Sequence, residues 1–206
     1  MSLLAGVVAV AVLVMQWLDM PARNADASGS ISASTQSASS SEGQYSLHGQ
    51  VTNVTDGDTL QIQVIDGGSL QRSGRQRVRL ASVDAPERTT SPERPGQPFG
   101  NAARRFLSDR VHGRTVTLTC FEQDPYERHI CDVPDPREPG VTVNQLLVTE
   151  GMAWANMEGR GRFLRDESLI GLQDQAKKHK RGLWAEPDPV PPWVWRYQCW
   201  RNGVCE

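Results

Sequence analysis

Residues 3–18 are apolar except for Gly6 and Gln16, and the chain then turns small and polar through residues 27–41. A run of that length is marginal for a bilayer span and long for the core of an export signal. Residues 1–27 therefore read as a hydrophobic signal peptide or membrane anchor, and residues 28–44 as a Ser-rich linker. The Ala25-Asp26-Ala27 triplet has the small-x-small form of a cleavage site but lies far past the apolar run, so cleavage and anchoring both stay open. Either reading sends the remainder out of the cytoplasm, as a secreted, periplasmic or outward-facing anchored protein.

From Tyr45 the pattern changes. Residues 50–55, 59–64, 76–83 and 115–121 are rich in Val, Thr, Ile and Leu with partial alternation, and Gly, Asp, Asn and Ser separate them, which predicts strands. Residues 100–111 space Ala103, Phe106, Leu107 and Val111 on one side and Arg104, Arg105 and Asp109 on the other, which predicts an amphipathic helix. Two more helices are expected over 143–150 and 163–180, ended by Gly151 and Gly182. Strands first and helices interspersed later indicate an α+β domain with a small barrel, spanning residues 45–186. Residues 133–140 hold Pro134, Pro136 and Pro139 and read as a loop. The Pro/Trp-rich tail, residues 187–206, either packs on its own domain or uses Trp193, Trp195, Tyr197 and Trp200, beside Arg196 and Arg201, to stack on unpaired bases.

Charge adds a constraint. The net charge is −2, and because the first 42 residues hold only Arg23 against Asp19, Asp26 and Glu42, the rest of the chain is balanced. Any affinity for a polyanion must therefore be local rather than a field over the whole surface. Four cysteines, Cys120, Cys131, Cys199 and Cys205, form no C-x-x-C pair and allow three disulfide pairings. Sequence-local pairing is the expectation, since Cys120 and Cys131 flank a turn-like segment whose arms would lie side by side, with free buried thiols the alternative. Zinc does not fit one His and one Cys, and His48, His112, His129 and His179 are scattered without ligand spacing, so all four read as solvated surface residues.

The chemistry concentrates in Asp56-Gly57-Asp58-Thr59 and in the segment from Arg79 to Glu87. Carboxylates set in strand-like sequence need a partner, and a hard divalent cation suits them. Taken alone, Asp56-Gly57-Asp58 is also an ordinary turn between strands. The ordered succession D-G-D-T, R-L-x-x-V-D-A-P-E, G-Q-P-F-G, D-x-Y-x-R, V-N-x-x-L-V-x-E-G-x-A-W and R-G-L-W-A resembles the thermonuclease family, typified by staphylococcal nuclease, over residues 46–186. That resemblance implies a five-stranded OB-fold-type β-barrel with three α-helices. It also implies a calcium-dependent endonuclease that hydrolyses DNA and RNA with little sequence or sugar specificity, and a monomer is expected.

Carried over residue by residue, the resemblance makes Asp58 and Asp84 the carboxylate ligands of Ca²⁺ and the Ala85 carbonyl the third protein ligand. Many relatives have Thr where this chain has Ala85, and Ala suffices if only the carbonyl ligates. Asp56 and Thr59 match outer positions that orient water on the metal. Glu87 matches the general base, and Arg79 and Arg128 match the two guanidinium groups that grip the scissile phosphate. Tyr126 matches a residue near the nucleotide. One departure stands out: Glu127 occupies a position that is commonly Gly, and a turn needing positive φ there would be strained. A reading of another class is a noncatalytic OB-fold module that binds single-stranded nucleic acid or a protein partner. Such a binder has no need to set Asp58, Asp84 and Glu87 beside a phosphate.

Overall fold

Strands β1 (Tyr45–Val54), β2 (Thr59–Asp66), β3 (Gly74–Leu80), β5 (Thr115–Gln123) and β6 (His129–Asp132) close into a five-stranded barrel in the order β1-β2-β3-β6-β5. The computed structural model describes residues 43–67 and 73–205, so the reading of residues 1–42 as signal or anchor lies outside the described residues. No helix among the described residues is long and apolar enough to cross a membrane. The pairs are antiparallel except β3 with β6, which run parallel. The alternation seen in the sequence is what fills the barrel: Leu47, Val51, Leu60, Ile62, Val78, Leu80 and Leu118 all point inward and are buried. Burying each such Leu or Ile contributes about 1.5–3 kcal/mol, so the barrel is a packed core and not a pore.

Helices α1 (Gly100–Val111), α2 (Val143–Thr149), α3 (Glu158–Gly161, a single short turn), α4 (Ser168–Lys178) and α5 (Pro192–Trp195) accompany the barrel, and a π-helical turn, Arg196–Arg201, follows α5. The α+β barrel expectation is met. Of the stripe that its spacing predicted, the first helix buries Ala103, Leu107 and Val111, while Phe106 is only partly buried against the core. The second begins with a capping box: the Thr142 hydroxyl accepts from the Gln145 N–H, and the Gln145 side chain accepts from the Thr142 N–H. The third predicted helix starts later than expected, at Ser168. Residues 165 and 166 instead donate their backbone N–H groups to the buried Ser82 hydroxyl at 2.8 and 3.2 Å, and the Asp166 carboxylate accepts from the Ser168 N–H.

One difference from expectation shapes the site. Residues 76–83 do not form one strand; the chain breaks at Ser82, whose φ of 63° is left-handed, and restarts as β4 (Val83–Asp84). Strand β4 leaves the barrel and pairs with β7 (Trp154–Ala155), with Asp84 opposite Trp154. Asn144, buried on α2, holds the break by donating to the Ala81 carbonyl at 2.9 Å and accepting from the Val133 N–H at 3.1 Å. Gln173 on α4 supports it from beneath, accepting from the Ala155 N–H at 2.9 Å.

Both cysteine pairs are sequence-local disulfides, Cys120–Cys131 across the β5–β6 hairpin and Cys199–Cys205 in the tail. The predicted loop at 133–140 is anchored, because buried Asp135 pairs with Arg110 at 2.6 Å and Arg137 donates to the Asp109 carbonyl. His129 corrects the surface reading of the histidines: it is fully buried at the start of β6, with the Tyr45 hydroxyl 2.6 Å from Nδ1.

Candidate active site

The Asp56-Gly57-Asp58-Thr59 turn joins β1 to β2 at the mouth of the barrel. It closes through Thr55 and Asp56 N–H groups donating to the Thr59 carbonyl, and the Asp56 carboxylate accepts from the Asp58 N–H at 3.1 Å. The Asp58 carbonyl accepts from the Leu80 N–H at 2.8 Å, which ties the turn to the end of β3. Gly57 is required by closeness: a Cβ there would lie 2.5 Å from the Ala85 methyl and 2.7 Å from that of Ala103. The turn therefore presses directly on the segment that carries Asp84, Ala85 and Glu87.

Both candidate ligand carboxylates are sequestered, Asp58 at 3% exposure and Asp84 at 0%. They converge on one guanidinium, with Arg79 Nη1 on Asp58 Oδ1 and Nη2 on Asp84 Oδ1 at 2.8 Å. The Asp58 carboxylate also accepts from the Thr59 hydroxyl at 3.1 Å and from the Ala85 N–H at 2.8 Å. Glu87 is held by its backbone, which accepts from the Gln97 N–H at 2.8 Å and donates to the Gln97 side-chain oxygen at 3.1 Å. Gly100 makes that clamp possible, since a Cβ there would lie 2.1 Å from the Glu87 carbonyl oxygen. The two glycines and the glutamine of Gly96-Gln97-Pro98-Phe99-Gly100 thus serve the Glu87 backbone.

The electrostatics are divided. Burial pushes Asp58 up to about 7, against the pull of Arg79 and with the push of neighbouring Asp56 and Asp84. Burial acts on Asp84 in the same direction, but two guanidinium groups, Arg79 and Arg196, outweigh it and hold its carboxyl below the ordinary value. For Arg79, burial is outweighed by Asp58 and Asp84, which keep it charged. Glu87 is raised by burial, only partly offset by its bond to Arg196. Crowded, dehydrated carboxylates with too little positive charge between them are the kind of donor set a hard cation completes. Among the described residues no three His, Cys, Asp or Glu side chains form a ready ligand group. A cation at this place would draw on the two aspartates, a backbone carbonyl such as that of Ala85, and water.

Across the cleft stands the turn Asp124 to Arg128. Asp124 accepts from the Tyr126 and Arg128 N–H groups, each at 2.9 Å, and from the Arg128 guanidinium at 2.7 Å. Burial would raise Asp124, but these bonds hold it below the ordinary value. Glu127 sits at φ 61°, the left-handed conformation that a glycine would adopt more easily. The Arg128 guanidinium lies over the Tyr126 ring at 5.5 Å, and Arg77 donates to the Tyr126 carbonyl. Tyr126 is well exposed at 68%.

These two walls enclose a cleft of about 990 Å³, to which Arg77, Arg79, Arg94, Arg128, Arg162, Arg165 and Arg196 all contribute. Asp56, Asp58, Glu87, Glu122, Asp124 and Glu158 line it too, so the arginines are gathered in one place but are largely paired with carboxylates of the same cleft. The cleft brings together Asp56, Asp58, Arg79, Ala85, Glu87, Tyr126 and Arg128, with Asp84 buried beneath.

One residue of the site was not anticipated. Arg196, from the tail, donates to both Asp84 oxygens at 3.1 and 2.8 Å and to Glu87 Oε1 at 2.7 Å, and approaches Glu158 at 3.6 Å. Its partners lie 112 and 109 residues away in sequence, so the only signal was an arginine set among aromatic residues.

Comparison with known proteins bears on this geometry. The family model described as staphylococcal nuclease homologue matches residues 77–186. An "uncharacterized endonuclease" of Escherichia coli O157:H7 is 38% identical over 152 residues, covering 74% of this chain and 86% of that protein. A "micrococcal nuclease" of Shigella flexneri is 35% identical over 159 residues, covering 73% of this chain and 80% of that protein. A "probable endonuclease LCL3" of Clavispora lusitaniae is 33% identical over 163 residues, covering 70% and 69% respectively.

Proposed function

The chain belongs to the staphylococcal nuclease homologue family and is an endonuclease, and from that premise we propose that it cleaves DNA and RNA alike with the help of one calcium ion. Asp58, Asp84 and the Ala85 carbonyl would hold the ion, with Thr59 and Asp56 steadying the Asp58 carboxylate and its turn. When bound, calcium supplies a positive charge that neutralises a nonbridging phosphate oxygen and gathers water beside it.

The protein's own groups account for the rest. Glu87, its backbone clamped by Gln97, accepts the proton of the attacking water, and burial that raises its affinity for protons brings it nearer to a useful base at neutral pH. Arg79 and Arg128 hold the phosphate oxygens and the extra charge of the transition state. Their planar guanidinium groups make paired bonds that an ammonium does not. Tyr126, exposed beside Arg128, offers its ring to a base or sugar. No base-reading pocket is needed for this set to work, and backbone recognition favours breadth of substrate.

The observation that carries this reading is the convergence of two buried aspartates on the Arg79 guanidinium, with Glu87 joined to Asp84 through Arg196, at a cleft rimmed by further arginines. A module that only bound a polyanion would be weakened by those acids. The test is cleavage of single- and double-stranded DNA and of RNA in calcium and in chelator, with Glu87→Gln alongside. We expect activity on all three substrates, its loss in chelator, and a fall of about 10²–10³-fold in the variant. Undiminished hydrolysis in chelator would remove the cation from the reaction, and an unchanged variant would remove Glu87.

A further inference from the structure

The tail is positioned where the cation is needed. Its Arg196 takes both oxygens of Asp84 and one of Glu87, and with Arg79 on Asp84 Oδ1 the aspartate is wholly enclosed, at 0% exposure. A carboxylate committed in this way offers no open face to a metal ion or to the water that Glu87 would activate. Resting on the reading that Asp58, Asp84 and the Ala85 carbonyl form the cation site, we propose that Arg196 is a tethered cation that fills the Asp84–Glu87 side of that site, so that the tail latches the enzyme shut until the metal displaces it.

The way the tail is attached fits a latch. The Trp195 and Trp200 indole N–H groups both donate to one acceptor, the Pro95 carbonyl, at 3.1 and 2.9 Å. Gln97, the residue that clamps Glu87, also donates to the Val190 carbonyl at 2.7 Å, and Trp193 meets Trp154 edge-on at 6.0 Å. Arg94 also lies over the Trp200 ring at 5.5 Å, and Pro192, Trp195 and Cys199 are buried, so the tail is seated on segments that border the site. The Cys199–Cys205 disulfide and the wide π-helical turn Arg196–Arg201 make the end of the tail a closed unit, and π turns recur at functional sites. The Arg196 side chain keeps 30% exposure against 16% for Arg79, so of the two guanidinium groups on Asp84 it is the more open to solvent. The charge balance agrees: Asp58, Asp84 and Glu87 face Arg79 and Arg196, and lifting Arg196 leaves the site more negative by one unit. The tail half of the device, from Val190 to Cys205, lies beyond residues 77–186, the span that matches the family model, whereas the groups it engages lie within it.

A ligand that binds only the open state is weakened in proportion to how seldom that state is populated. Calorimetric titration of the full chain with calcium, without nucleic acid, measures this directly. We expect Arg196→Ala to tighten calcium by roughly tenfold or more, with Arg196→Lys between it and the unaltered protein. Trp195→Phe with Trp200→Phe removes both donors to Pro95, leaves Arg196 in place, and should tighten calcium in the same direction. Amide hydrogen exchange across residues 193–201 should quicken when calcium is added. Asp84→Asn separates the two readings. If it abolishes binding while the tail variants bind as the unaltered protein does or more weakly, the latch is wrong and the cation site stands. If it leaves binding unchanged, the cation site fails and the latch with it.

Discussion

The barrel mouth and the tail both contribute charged groups to one cleft, yet they are built in opposite ways. Asp58 and Asp84 are set by backbone: one on a turn tied into β3, the other on a strand paired with β7 and backed by Asn144 and Gln173 through the segments they hold. Moving either carboxylate means breaking sheet or buried hydrogen bonds. Arg196 is set by a segment held chiefly through side chains, with two indole donors, one amide, two ring contacts and the buried Pro192, Trp195 and Cys199. The difference teaches that a centre can keep its anions rigid and let its counter-charge be exchangeable.

That contrast is open to breakage. Asp84→Asn attacks the rigid side and should lower hydrolysis by about a thousandfold while far-UV circular dichroism stays native. Retained activity would mean that the mouth does not do the chemistry. A finer probe uses protons. Burial lifts Asp58 to about 7 from an ordinary 3.8, so the stability it contributes is full below about pH 4 and is lost as pH rises through 7. In chelator, the melting temperature of Asp58→Asn relative to the unaltered protein should therefore rise between pH 4 and pH 8. Asp84, held below its ordinary value, contributes fully above that value and loses its contribution only as pH falls below it, so its Asn variant should keep a constant offset from the unaltered protein between pH 4 and pH 8 and gain on it only in more acidic solution. Parallel trends for the two variants would dissolve the asymmetry between the aspartates. The smallest expected effect concerns the far wall: Glu127→Gly removes left-handed strain and should stabilise by up to about 1 kcal/mol in a thermal or denaturant melt, net of the added chain entropy of glycine.

Much of the barrel was legible because its signals are local. Alternating apolar positions from Val51 to Leu118, the α1 stripe and the Cys120–Cys131 hairpin each depend on neighbours in sequence, whereas the first five residues of β1, from Tyr45, lie outside the predicted strand. The break at Ser82 was not, because serine carries no preference for left-handed backbone and is held there by Arg165, Asp166 and Asn156 from distant elements. His129 looked like a surface residue because its partner Tyr45 lies 84 positions away. Grouping of the acids with Arg79 and Glu87 followed from ordered motifs, whereas Arg196 belongs to no motif and is identified only by what it touches. Contacts made late in the chain to groups set early are the ones periodicity does not encode.

A slot whose arginines are largely paired with its own carboxylates, on a body of balanced charge, also governs how the enzyme meets a long polymer. Only the few phosphates inside the slot shed their counterions on binding, so grip rises shallowly as salt is diluted and little of the strand outside is held. Cut ends have nothing further to cling to, and departure of fragments costs the enzyme little.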